Sequence, residues 1–310
     1  MNLKRRHFLI LGSLGILGAG TFTKLTGISS NPHDNFNFTE ELANAATPTA
    51  DPIFRFVAVA DTGTGGSGQY AVAKAMTRYY EEHPFNFILL AGDNIYPNGE
   101  IEKIEEVFEK PYQPLLEKGV KFHAVLGNHD IRINNGEDEL KYAGFNMSDR
   151  YYTFRQENVQ FFALDTNHNA DWKAELPWLD RELSRSDAPW KIVFAHHHIY
   201  SSGVRGINQL FVENLTPILE KHGVQLYLNG HEHHYERTRP LNGITYLICG
   251  AGAKLRPVRR SEWTEYATSN LSFAAFDVYE DAIFISGIDT NNRIFDRGII
   301  ASTSPGASQF

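Results

Sequence analysis

Three stretches decide the fold: IFRFVAVAD (residues 53–61), FNFILLAGD (85–93) and VKFHAVLGNHD (120–130). Each is a run of β-branched, aromatic and aliphatic residues that stops abruptly in polar ones. That pattern predicts a strand buried on both faces and closed by a loop. Residues 68–83 and 101–118, which fill the gaps, carry helical periodicity. Downstream, 151–155 and 159–164 predict a hairpin, and 176–184 a helix. A strand over 191–195 then stops at His196-His197-His198, and a helix over 209–222 leads to a strand over 225–228 that stops before Gly230-His231-Glu232-His233. Residues 244–249, 272–279, 282–288 and 293–295 are strand-like, with no helical pattern among them. The alternation predicts an α/β fold with added antiparallel strands towards the C-terminus. In such folds ligands sit beyond the carboxyl ends of the strands.

Composition narrows the function. The 310-residue chain is 42% hydrophobic and 21% charged, ordinary globular usage, so a packed core is expected. A formal net charge of -8 excludes a non-specific nucleic-acid binder, which needs a basic face to release counterions. Cys249 is the only cysteine, so no internal disulfide is possible. Residues 1–45 read as an export leader. Lys4, Arg5 and Arg6 precede an apolar, glycine-rich run too short for an untilted membrane span, and Ala43-Asn44-Ala45 offers a small-residue cleavage site. The paired arginines before Phe8-Leu9 resemble the twin-arginine signal, which carries already folded proteins. The expected location is periplasmic or extracellular, with the twin-arginine machinery as a partner and no stable membrane span in the mature chain. Residues 46–52 read as a tether, and 53–310 as one catalytic domain.

The polar strand ends carry the chemistry. In order they are Asp61, Asp93, Asn128-His129-Asp130, His196 and His231-Glu232-His233. Alone, Asp61 is an ordinary cap or turn residue, and His196 an ordinary buried histidine. His231 and His233 are stronger, because residues i and i+2 of an extended segment point to one side. Five such motifs in order, each at a strand end, predict a metal site built from oxygen and imidazole donors, which suits hard or borderline first-row ions.

The set Asp61-Thr62-Gly63, Gly92-Asp93-Asn94-Ile95-Tyr96, Gly127-Asn128-His129-Asp130, His196 and Gly230-His231-Glu232-His233 resembles the calcineurin-like metallophosphoesterases. Within them it resembles the purple acid phosphatases, especially the short tartrate-resistant type. The resemblance implies a sandwich of two mixed β-sheets flanked by helices, with the site at the carboxyl ends of the strands. Most of that superfamily begins with Asp-x-His; here Gly63 stands at the histidine position, and Tyr96 stands where purple acid phosphatases have a tyrosinate ligand. A phenol of pKa about 10 loses its proton at acidic pH only to a strongly polarising ion, which points to Fe(III).

Carried over, the resemblance assigns Asp61, Asp93, Tyr96 and His233 to Fe(III). It assigns Asp93, Asn128, His196 and His231 to a divalent iron, zinc or manganese ion, with Asp93 bridging. The implied reaction is hydrolysis of small phosphate monoesters by a metal-bound hydroxide. His129 is expected to protonate the leaving group, with Asp130 orienting its ring. The excess positive charge of the two ions explains how an acidic protein attracts an anionic substrate. His197 and His198 are expected to support the ligands, His234-Tyr235-Glu236-Arg237 to brace the structure, and Lys254, Arg256, Arg259 and Arg260 to form a solvated basic loop. Two other readings use the same residues: a phosphodiesterase or broad-pH phosphatase, and a protein that stores metal or phosphate without turnover.

Overall fold

Runs that end in polar residues become strands because only a sheet interior hides so continuous an apolar surface. The computed structural model describes residues 50–302; the expected leader and most of the tether lie outside the described residues. In chain order the strands are β1 (Phe54–Val59), β2 (Phe87–Leu90), β3 (Lys121–Ala124), β4 (Tyr152–Gln156), β5 (Val159–Ala163), β6 (Trp190–Phe194) and β7 (Leu226–Asn229). They continue with β8 (Tyr235–Thr238), β9 (Thr245–Cys249), β10 (Thr264–Thr268), β11 (Ser272–Val278), β12 (Ala282–Asp289) and β13 (Ile294–Ala301).

Two mixed sheets result, of order β13-β12-β11-β1-β2-β3 and β10-β8-β9-β7-β6-β5-β4. β1, β2 and β3 are parallel, as are β5, β6, β7 and β9, while β11 to β13 form an antiparallel flank on β1. The parallel segments of both sheets send their carboxyl ends to the same edge of the sandwich. There Ala60 donates its N–H to the Cys249 carbonyl at 3.0 Å, joining the end of β1 to the end of β9.

Aromatic rings fill the space between the sheets. Phe56 of β1 is fully buried, stacks on Phe276 of β11 at 4.3 Å between centroids, and meets Phe161 of the facing sheet edge-on at 5.3 Å. Burying such a ring stabilises the fold by about 2–3 kcal/mol, and each well-set aromatic pair adds about 1 kcal/mol. A second cluster lies on the outer face of the other sheet. Leu179 and Leu183 of the helix Trp172–Arg185, with Phe211, Leu215 and Leu219 of the next helical pair, cover Val193, Tyr227 and Tyr246.

Two expected helices are broken, and proline is the cause in both. Residues 101–118 form a 3₁₀ turn, a π segment (Glu105–Glu109) and the α-helix Lys110–Leu116, with Pro111, which has no N–H to return to the preceding turn, at the junction and Pro114 inside the last helix. Residues 209–222 split into Gln209–Asn214 and Thr216–Lys221 around Pro217. β8 and β10 were not expected. Their largely polar residues carry little strand signal, and pairing of β8 with β9 and of β10 with β8 makes them strands.

Candidate metal centre

The seven expected ligands meet at the shared edge of the two sheets. Sheet one contributes the oxygen donors: Asp61 after β1, Asp93 and Tyr96 after β2, and Asn128 after β3. Sheet two contributes the imidazoles: His196 after β6, and His231 and His233 after β7. Asp61, Asp93 and His231 all take left-handed backbone, at φ of 57°, 54° and 69°. This conformation is uncommon for side-chain-bearing residues and turns the chain sharply enough to aim each donor inward.

The donors form two groups with one shared member. In the first, the Tyr96 hydroxyl lies 2.9 Å from Asp93 Oδ2, 3.1 Å from Asp61 Oδ1 and 3.3 Å from His233 Nε2. His233 Nε2 is also 3.3 Å from Asp61 Oδ1. In the second, His196 Nε2 lies 3.2 Å from His231 Nδ1, 3.3 Å from Asn128 Oδ1 and 3.4 Å from Asp93 Oδ1. Asp93 thus turns one oxygen to each group.

The chemistry of these contacts calls for cations. One phenolic proton cannot serve two buried carboxylates, and burial, then the charges of Asp61 and Asp93, push the Tyr96 phenol far above its ordinary pKa. Burial alone would hold His196 neutral, yet the charges of Asp93 and Asp61 prevail and raise its pKa. His231 goes the other way, lowered by burial and by the neighbouring His196 and His197. His196 Nδ1 faces the Ala91 carbonyl at 2.8 Å and donates to it in the neutral ring, which leaves Nε2 as the ligating atom. A pair of ions would satisfy every one of these donors, so the residues fit a binuclear centre.

Close packing explains the exchange of histidine for tyrosine. A Cβ on Gly63 would fall 1.9 Å from the Asn94 carbonyl oxygen. The Asp93–Tyr96 turn lies against Gly63 through a 2.8 Å bond from the Tyr96 N–H to the Gly63 carbonyl. The space a first-loop histidine needs is occupied by the backbone that carries Tyr96. Gly230 is constrained in the same way, since a Cβ there would fall 2.5 Å from Asp61 Oδ2.

Asp130 does not orient His129. Its carboxylate is fully buried and accepts the N–H groups of Asn94, Ile95 and Gly127 at 2.9, 3.1 and 2.7 Å. It therefore ties the loop of Asp93 and Tyr96 to the loop of Asn128. A buried carboxylate is better satisfied by three fixed backbone donors than by one mobile imidazole. His129 is held instead by the Pro97 carbonyl, 2.6 Å from Nδ1, and its Nε2 is 3.2 Å from Arg132 Nη2 and 3.9 Å from Asp93 Oδ2.

His198 is buried, with its pKa lowered to about 4 by burial and by Arg205, and its ring stacks on His231. His197 is partly exposed at the edge of the site, its Nδ1 3.0 Å from the Thr166 hydroxyl and its ring 4.4 Å from His231. The brace is seen where Tyr235 and Arg237 of β8 bind Asp296 of β13, joining the two sheets. The basic loop is not merely solvated. Arg256 donates to the backbone carbonyls of His233 and His231, and Lys254 Nζ sits 4.5 Å from the Tyr96 ring centroid. Arg132 and Thr166 carry no sequence signal of their own; only their neighbours in space mark them.

The family model for the calcineurin-like phosphoesterases matches residues 54–235, so the chain belongs to that class. Within it the chain belongs to the purple acid phosphatases. It is 32% identical over 248 residues to purple acid phosphatase 7 of Arabidopsis thaliana, covering 69% of this chain and 75% of that protein. It is 27% identical over 259 residues to tartrate-resistant acid phosphatase type 5 of Mus musculus, covering 71% and 78%. Among solved structures, purple acid phosphatase PPD1 from yellow lupin (Lupinus luteus) seeds superposes with a TM-score of 0.66 at 17% identity, over 82% of this chain and 55% of that one. GAP50, the anchor in the inner membrane complex of Plasmodium, superposes with a TM-score of 0.72 at 21% identity, over 81% and 89%. At those identities the two structures speak to the fold alone. The chain is a phosphatase whose donors fit a binuclear metal centre.

Proposed function

We propose that the protein hydrolyses phosphate monoesters at an Fe(III)–M(II) centre, with Asp61, Asp93, Tyr96 and His233 holding the iron. Asp93, Asn128, His196 and His231 hold the divalent ion. The observation that carries this reading is the Tyr96 hydroxyl within 3.3 Å of Asp61, Asp93 and His233. When bound, the two ions supply Lewis acidity to the phosphoryl oxygens and a water made acidic enough to attack at neutral or lower pH. The chain's own residues do the rest. Asp93 fixes the two halves at one separation, and Asp130 locks the loops that carry Asp93, Tyr96 and Asn128. His129, held through Nδ1 by the Pro97 carbonyl, is assigned the protonation of the leaving oxygen, a role that requires a proton on Nε2, the atom that Arg132 Nη2 faces at 3.2 Å.

The visible spectrum of protein purified aerobically tests the iron assignment. A phenolate-to-iron band, giving a pink to violet solution, is expected; a colourless, fully metallated and active enzyme would refute it. Rates on p-nitrophenyl phosphate and bis-p-nitrophenyl phosphate separate the monoesterase from the phosphodiesterase reading, and the monoester is expected to be faster. Bound phosphate with no turnover of either would favour the storage reading. We also propose export by the twin-arginine route. A double Arg5→Lys, Arg6→Lys variant should stay in the cytoplasm, and unchanged export would overturn that route.

A further inference from the structure

A cavity of about 530 Å³ opens directly beside the metal centre. Tyr96, Pro97, Ser67, Lys103, Glu106 and Lys254 are among the residues that line it, and of the seven metal donors only Tyr96 does. Tyr96 therefore has two sides to its work: its hydroxyl belongs to the metal centre, while its ring borders the cavity. His129 meets the same ring at 4.5 Å between centroids, and the Pro97 carbonyl fixes its Nδ1. His129 is thus in direct contact with the Tyr96–Pro97 segment that lines the cavity.

The cavity's charged lining is Lys103, Glu106 and Lys254, and only Lys254 is left outside an ion pair on the cationic side. Lys103 is paired with Glu100 at 3.1 Å, and Glu106 offsets it further. Lys254 makes no ion pair among the described residues, and its ammonium lies 4.5 Å from the Tyr96 ring centroid. Its ammonium is therefore free to meet an anionic group that enters the cavity. The cavity also meets the first turn of the helix Ser67–Glu82, whose cap residue Gly66 makes no side-chain capping bond, so backbone N–H donors face the same space.

We propose that this cavity is a subsite for a second phosphate carried by the leaving group of the substrate, recognised by Lys254. The proposal rests on the phosphate-ester hydrolase reading above and names its substrate class: short bisphosphorylated alcohols in preference to neutral ones. The chemistry is unchanged. Water oxygen joins the scissile phosphorus, the P–O ester bond breaks, and the departing alkoxide takes a proton and leaves with its own phosphate still attached.

A matched pair of substrates tests this on the metal-loaded enzyme: propane-1,3-diol bisphosphate and 3-hydroxypropyl phosphate, which differ only in the second phosphate. At low salt kcat/KM should favour the bisphosphate by about ten-fold or more, the worth of one charge-assisted contact. Lys254→Met should bring the ratio close to the statistical factor of about two for two equivalent phosphates, with 3-hydroxypropyl phosphate turned over at nearly the wild-type rate. Lys254→Arg should keep most of the preference. A ratio unaffected by Lys254→Met, or an equal loss on both substrates, overturns the subsite. Calorimetry with propane-1,3-bisphosphonate and propylphosphonate, which cannot be hydrolysed, separates this outcome from failure of the hydrolase reading. Tighter bisphosphonate binding that depends on Lys254, with neither ester turned over, sinks the hydrolase and keeps the subsite. Equal binding of the two phosphonates sinks the subsite whatever the turnover.

Discussion

The two halves of the centre are built from different materials. Around the Tyr96 hydroxyl stand two carboxylates, a phenol and one imidazole; around His196 Nε2 stand one carboxylate oxygen, an amide oxygen and a second imidazole. The first half concentrates anionic oxygen and suits a small, highly charged ion; the second is largely neutral and suits a borderline divalent one. The difference follows from the architecture. Sheet one supplies every oxygen donor and sheet two every imidazole, so the halves differ only in how far each loop reaches across the junction. Two unlike halves need no special scaffold, only an unequal mixing of two loop sets.

Four experiments break or sharpen that contrast. The largest effect is expected for Asp93→Ala, which removes the one residue common to both halves. Activity should fall by at least about 10³-fold, and metal analysis should show both ions depleted; loss of only one would mean the halves are independent. Next come Tyr96→Phe and His231→Ala, one from each half. Both should cost on the order of 10²-fold in kcat, but only Tyr96→Phe should abolish the visible band. A band that survives Tyr96→Phe would remove the chemical distinction between the halves.

His129 belongs to neither half. His129→Ala should lower kcat by about 10²-fold for alkyl phosphates and far less for p-nitrophenyl phosphate, whose leaving group needs no proton. An equal loss on both substrates would sink its role as acid.

The smallest effect lies away from the metals, at a buried carboxylate with no cation to face. Burial and the nearby Asp165 raise Glu175 to a pKa of about 9, whereas an unfolded chain releases the same proton near 4.5. Between those values the folded state binds more protons, so stability should fall as pH rises, by up to about 1.4 kcal/mol per pH unit. Glu175→Gln, which keeps an acceptor for the Asp165 N–H, should flatten the profile in urea denaturation. An unchanged slope would show that Glu175 ionises freely. Asp61 makes the contrast: burial raises its pKa, but the hydrogen bond to His233 and the charges of His196 and His233 outweigh that and hold it low.

Much of this was legible in the chain. Buried strands announce themselves by continuous apolar runs, and β1, β2, β3, β6 and β7 fall within a residue or so of where those runs lie. The ligands are legible for the same reason, because a polar residue at the end of such a run stands at a sheet edge. Less legible were residues whose partners are distant in sequence. Asp130 follows His129 directly, yet bonds to Asn94 and Ile95 of another loop. Lys254 read as part of a solvated loop until the fold laid it over Tyr96. Helical periodicity alone did not mark the junctions at Pro111 and Pro217, each of which stands in the first turn of a new helix.

By itself the sequence determined which chemical groups are present, their order, and the exchange of a first-loop histidine for Tyr96, since composition and periodicity are properties of the chain alone. Tertiary structure decided the rest: the sorting of seven donors into two groups, the sharing of Asp93 between them, and the backbone that fills the space beside Gly63. Those are distances between loops drawn from two separate sheets, and such distances do not exist until the sheets have packed.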